Sequence, residues 1–382
     1  MRSLVVVLSL VLAQSWSQSV DPVQYPVQDP VQDPVQDLVR RWSDLGLGLF
    51  RTMASRSDQN LLFSPSGAGL SLSSVLERSS GIGRDQLDRA LGARGLQSSD
   101  LVSGLRAAVG GDTLGGVAWF VAQGAEPDDA YRKSLEQSFG AELRTLDFGS
   151  VQDSVDSIQR WVLEQTRDRV QIHRPGLDLG PDPQLVLASA LHIQARFLVP
   201  FNASQTVQER FFVDRYHTVM VPMMLSSGRF FLAYDRVLRT GILRLALDGG
   251  LALLVLLPDQ NLHLSDLEDQ LSHAQVQAWI RALRKTRLEV QLPRFVLEHS
   301  AVLKRALQQL QVTQVFDDNS LSQVLDAAAL VVDETSAPGG VASSFKTPPP
   351  RLTVNRPFLL VVYHEVTGTL QLIGRVVDPT QK

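Results

Sequence analysis

The chain has 382 residues, 44% of them hydrophobic and 20% charged, with a formal net charge of -4. That length carries one large domain or two ordinary ones. The balance is that of a globular protein, and the small negative charge gives no global pull toward nucleic acid or an anionic membrane. Cysteine is absent, which excludes disulfides, thiol catalysis and thiolate metal sites together.

At the N-terminus, Met1-Arg2 and the apolar run over residues 4–13 read as a secretory leader, too short to span a bilayer. Small residues at Ser15, Ser17 and Ser19 offer alternative cleavage positions, so residues 1–19 are expected to be a signal peptide. Residues 21–37 read DPVQYPVQDPVQDPVQD, a four-residue repeat with proline in nearly every unit. Fixed φ and missing backbone donors predict an extended, uncovered tail over 20–37. The folded domain is then expected over 38–382. Its first segment, LVRRWSDLGLGLFRTMA (38–54), places Leu38, Trp42, Leu45, Leu49 and Phe50 on one helical face. Ser64 suits the cap of a second helix and Pro65 its first turn. Helical spacing recurs over 129–139 and 153–170. Residues 185–193 (LVLASALHI) and 251–258 (LALLVLLP) read as buried strands. Period-two stretches surround Pro293 over 288–298, and alternation returns through the C-terminal end. Helices mostly early and strands mostly late predict an α+β fold, and no linker interrupts residues 38–382.

Five segments in this order carry a resemblance: NLLFSPS (60–66), IQRWVLEQTRDRV (158–170), LVLASALHIQARFLVPF (185–201), FFVDRYHTVMVPMM (211–224) and VNRPFLLVVYHEVTGTLQLIGRVVDP (354–379). Together they resemble the serpin family. The resemblance implies a single serpin domain, with helices packed around mixed and antiparallel β-sheets and an exposed reactive-centre loop. Several positions depart from the family pattern. Gly67 replaces a serine, Glu77-Arg78-Ser79 replaces leucine-glycine-alanine, Ser189 an asparagine, Phe197 a tryptophan and Asp326 a buried histidine. The resemblance implies that these positions help the main sheet open and reclose.

An inhibitory member works by inserting the cleaved loop into that sheet as a new central strand, carrying the acylated protease with it. The loop here spans Glu334 to Asn355, with Glu334, Ser336, Ala337, Pro338, Gly339 and Gly340 at its hinge. By the resemblance, Ser336 replaces a glycine and Pro338 a glutamate. Proline donates no ladder hydrogen bond, and glycine loses more entropy in a strand than other residues. By the resemblance, the family's scissile pair falls at Lys346-Thr347 when counted back from Asn355, whereas counting forward from Glu334 reaches Pro350. The loop is thus about four residues short, which at ~3.3 Å per residue removes roughly 13 Å of inserted strand. These features, like the NRPFLLVVY run, are similar to those of non-inhibitory serpins.

The reading is a secreted, extracellular serpin-fold protein without a working trap, acting as a binding or regulatory protein or as a protease substrate. The competing reading is a serine-type endopeptidase inhibitor of trypsin-like proteases with Lys346 as bait, because their pocket selects a cation. Arg351 is a second bait candidate, and the prolines at 348–350 stiffen the stretch between. No G-x-S-x-G, H-E-x-x-H or Walker-type loop is present, and the seven histidines show no close ligand spacing. Neither an enzyme nor a metal or other cofactor is expected. Asn202-Ala203-Ser204 is a glycosylation sequon. Arg281, Arg284, Lys285 and Arg287 form a basic cluster that suits a heparin-like glycan. Expected partners are a trypsin-like serine protease or a cell-surface receptor, for a monomer with no nucleic-acid partner and no membrane span.

Overall fold

The computed structural model describes residues 34–76, 78–93, 114–172, 177, 179–180, 182–317, 321–339 and 347–381. The expected signal peptide, most of the repeat tail, Gly340 and Lys346 lie outside the described residues. Three helices alternate with the first two strands: α1 (Pro34–Ala54), β1 (Leu61–Phe63), α2 (Pro65–Leu76), α3 (Gly81–Leu91) and β2 (Leu114–Ala122). Then come α4 (Asp129–Ser134), β3 (Ala141–Leu146), α5 (Val151–Thr166), β4 (Leu185–Gln194), β5 (Val207–Phe212) and β6 (Thr218–Asp235). The remainder is β7 (Thr240–Ala246), β8 (Leu251–Pro258), α6 (Leu264–Asp269), α7 (His273–Ala282), β9 (Arg284–Pro293) and β10 (Phe295–Val302). It closes with α8 (Lys304–Gln309), α9 (Gln314–Asp317), β11 (Gln323–Val332), β12 (Arg351–Thr353), β13 (Phe358–His364) and β14 (Leu370–Val376).

Three expectations need correction. Residues 34–37, expected to be extended, form the first turn of α1. Pro34 is tolerated there because first-turn amides lack intrahelical partners. Asp37 holds the turn by accepting from Arg40 at 2.6 Å and Arg41 at 2.9 Å. The helix expected over 153–170, α5, stops at Thr166, because Arg167 and Asp168 take left-handed conformations with φ of 54° and 58°. The α+β expectation holds in one domain, but both sheets are mixed, the nine-stranded one through the parallel pair of β9 and β12.

A five-stranded sheet has the order β10-β11-β4-β2-β3, and a nine-stranded sheet runs β1-β14-β13-β8-β7-β6-β9-β12, with β5 added on β6. At the centre of the first, β11 lies parallel to β4 from Gln323 beside Val186 to Val331 beside Gln194. Both strands are buried on both faces, which is why their sequences are near-continuous apolar runs. One face carries Ala188, Ala190, Ala327 and Ala329, small enough for α5 to lay Ile158, Trp161 and Val162 on them. The chain passes between the sheets at Arg294, whose amide bonds Pro222 O, so Pro293 ends β9 rather than interrupting one strand. Helices α1 and α2 cross at Gly46, where an added Cβ would lie 2.4 Å from Pro65 Cβ.

Candidate functional site

The site is the seam between β4 and β11 together with the loop that leaves β11. At mid-seam Asp326 lies beside Ser189 in parallel register, 1% exposed. An aspartate in the run VLDAAALVV requires polar partners at that depth. Ser189 Oγ donates to Asp326 Oδ1 at 2.8 Å, and the Ser64 amide donates to Oδ2 at 3.0 Å. Ser64 also caps α2: its Oγ accepts from the Gly67 amide at 3.0 Å and donates to Gln371 O at 3.0 Å. Ser66 Oγ donates to Gln371 Oε1 at 2.9 Å. One polar cluster therefore ties α2, β4, β11 and β14 together. Burial pushes the Asp326 carboxyl up to about 7, against the Ser64 and Ser189 donors that pull it down. Gly67 is part of the same fit, since a Cβ there would lie 3.1 Å from Ser189 Cβ and 3.0 Å from Ser64 Oγ.

Above the seam, every hinge residue up to Gly339 lies in the described structure. Asp333 Oδ1 accepts from Gln194 Nε2 at 3.0 Å and from its own chain at Thr335 N, 2.9 Å. Glu334 accepts from Arg294 and from Thr206 Oγ1, both at 2.5 Å. Burial raises that carboxyl, but the two hydrogen bonds outweigh it and hold Glu334 below the usual range. The backbone then pairs with the continuation of β4. Phe197 N donates to Thr335 O at 3.2 Å, and Ala337 N donates to Phe197 O at 3.0 Å, forming a parallel bridge at Ser336. Ala337 is 4% exposed and Phe197 1%, the latter packed edge-on against Phe201 at 4.9 Å. Pro338 and Gly339 follow as a turn with Gly339 at φ 80°, a conformation glycine adopts without steric cost. Proline then glycine is the pair that a type II turn favours at its two central positions.

The far end of the loop is tied down as well. Thr347 is exposed, Glu289 N donates to Pro350 O, and β12 pairs parallel with β9 from Arg351 beside Glu289 to Thr353 beside Gln291. Arg351, the second bait candidate, donates to Glu289 Oε2 at 2.6 Å. Asn202 is exposed and caps a short turn, its Oδ1 accepting from Ser204 N and Oγ. It stands in the segment that leads to Thr206 and so to Glu334. Arg281 ends α7, and Arg284, Lys285 and Arg287 lie on β9, all exposed. Arg229 of β6 stands in register with Arg287 and is exposed too, so the cluster extends across two strands. No group of three metal-ligating side chains gathers among the described residues.

A family model described as "Serpin (serine protease inhibitor)" matches residues 40–379. The chain belongs to the serpin family. Among its relatives, human protein Z-dependent protease inhibitor is 27% identical over 373 residues, covering 90% of this chain and 83% of the relative. An alpha-1-antitrypsin homolog of Cyprinus carpio is 25% identical over 322 residues, covering 78% and 85%. Solved structures agree in fold. Mouse protein Z-dependent protease inhibitor matches with a TM-score of 0.80 at 24% identity, covering 90% of this serpin and 98% of that chain. Human thyroxine-binding globulin, solved in complex with thyroxine, reaches 0.82 at 20% identity over 91% and 100%. Native protease nexin-1 with heparin reaches 0.81 at 23% identity over 90% and 100%.

Two elements of the site went unread in the sequence of this serpin. The Arg294–Glu334–Thr206 cluster joins residues far apart in the chain, with no pattern linking them. Gln371 sits in a strand whose other side chains are buried and apolar on the Leu370–Ile373 stretch, and that burial was the signal that it has a partner.

Proposed function

We propose that this serpin is a secreted, extracellular, non-inhibitory protein that acts through binding or regulation, or is cleaved as a substrate without trapping the protease. The observation that carries this reading is the hinge. Thr335 and Ala337 are already paired with Phe197, and the next two residues, Pro338 and Gly339, form a turn rather than strand. Inserting residues beyond Ala337 as a central strand requires that turn to be undone and a proline to sit where a ladder donor is needed. The count of about four missing residues between Glu334 and Asn355, roughly 13 Å of strand, supports the same reading independently. Secretion rests on the apolar N-terminal run, and it makes Asn202 a glycan acceptor.

A second reading is favoured by a specific observation: the most similar relatives include proteins named protease inhibitors, and Lys346 offers a trypsin-like pocket a cation. Incubation with trypsin-like serine proteases separates the two. Cleavage after Lys346 with no covalent complex on a denaturing gel is the expected outcome, and an SDS-stable complex in high yield establishes the second reading. The exposed Arg281, Arg284, Lys285 and Arg287 support binding of a heparin-like glycan by either kind of serpin. Retention on a heparin column should fall steeply with salt and be lost when these four are neutralised; retention that survives neutralisation removes the glycan from the account.

A further inference from the structure

We propose that Asp326 is a proton-operated latch across the β4–β11 seam, holding the sheet closed when protonated and loosening it when ionised. The inference concerns the sheet itself and stands whether or not the loop inserts. The geometry provides for both protonation states. As a carboxylate, Asp326 receives two donors, Ser189 Oγ on Oδ1 and the Ser64 amide on Oδ2. Once protonated on Oδ1 it donates to Ser189 Oγ, and the Ser189 hydroxyl turns to Leu325 O, 3.4 Å away. The Ser64 amide keeps Oδ2 as its acceptor throughout. No polar atom is orphaned by either state, which is the requirement for a buried group that changes charge.

The surroundings decide which state favours closure. Asp326 stands beside Ser189 of β4 and opposite Ala301 of β10, and it accepts from the amide of Ser64, whose hydroxyl, like that of Ser66, bonds Gln371 of β14. Two positions along on that face is His299 of β10, opposite Ala328, which burial holds neutral down to about 4. The influences on the carboxyl are its burial and the two donors, with no cation among them. An ionised Asp326 is therefore a buried charge without a counter-charge, relieved when β4 and β11 part and water enters. The folded-state value of about 7 lies above the ordinary 3.8, so the closed seam is favoured as pH falls through 7 and disfavoured as it rises.

The test is hydrogen exchange of the full chain at pH 6 and pH 8, normalised to intrinsic rates and read on segments covering β4 and β11. The control is Asp326→Asn, which keeps every other titrating group. The ratio of seam opening in the native chain to that in Asp326→Asn is expected to rise about ten-fold from pH 6 to pH 8. Taking the ratio cancels the contribution of His192 and His299, which both proteins share. Ser189→Ala, which removes one donor from the carboxylate, should move the midpoint of this dependence to higher pH, and it decides the matter if Asp326→Asn does not fold. A ratio that does not change with pH, or a Ser189→Ala midpoint that stays in place, overturns the proposal.

Discussion

Two histidines, His192 at the seam and His299 on the neighbouring β10, oppose the effect of Asp326. His192 on β4 is buried, and neither ring nitrogen has a hydrogen-bond partner among the described residues. Burial, with Arg169 and Arg167 adding to it, lowers this imidazole to about 4, and burial alone lowers His299 to about 4. Both lie below the ordinary 6.5, so the neutral forms contribute stability that is lost as pH falls from 6.5 toward 4. Replacing His192 with methionine removes that loss at one site. His192→Met should gain on the native chain by on the order of 1–2 kcal/mol at pH 5 relative to pH 8, measured by denaturant unfolding at each pH. An equal difference at both pH values contradicts the assignment. What could be read at this scale from sequence was the anomaly, an acid and a histidine inside apolar strands. The partners could not, because Ser64 and Ser189 are 262 and 137 positions from Asp326 and meet it only through the fold.

Helices and strands were legible wherever one face or both faces are buried. The α1 face of Leu38, Trp42, Leu45, Leu49 and Phe50 is buried as its spacing requires, and the runs at 185–193 and 251–258 are strands buried along their length. Ends were less legible. The Pro34 start of α1 depends on the Asp37–Arg40–Arg41 pairs, and the stop of α5 depends on left-handed Arg167 and Asp168, neither of which a hydrophobic pattern reports. The glycines of Gly46-Leu47-Gly48 serve helix packing. Gly46 allows α1 to touch Pro65 at the start of α2, and Gly48 sits against Leu310. Gly46→Ala forces a Cβ to within 2.4 Å of Pro65 Cβ, where a proline ring cannot rotate away. Overpacking of this kind destabilises by about 2 kcal/mol, and the variant should show that loss in denaturant unfolding. A loss near zero means the helices separate at little cost and α1 packs less rigidly than its burial implies.

Across the whole molecule, the serpin fold was legible because five motifs occur in order over most of the chain, and both sheets follow from them. The condition of the loop was legible only in part. Proline and glycine in the hinge and the short count stood in the sequence, but the pairing of Thr335 and Ala337 with Phe197 did not. That pairing turns a loop with poor strand-forming residues into a hinge fixed at one end by Phe197 and at the other by β12 on β9. A strand that cannot enter the sheet adds no stability when the loop is cut. The most direct measurement is therefore thermal unfolding before and after cleavage at Lys346. Tm is expected to change by no more than about 3 °C, the scale of one or two kcal/mol in a chain of this size. A rise several times larger would show that the cleaved loop enters between β4 and β11, and would contradict the account.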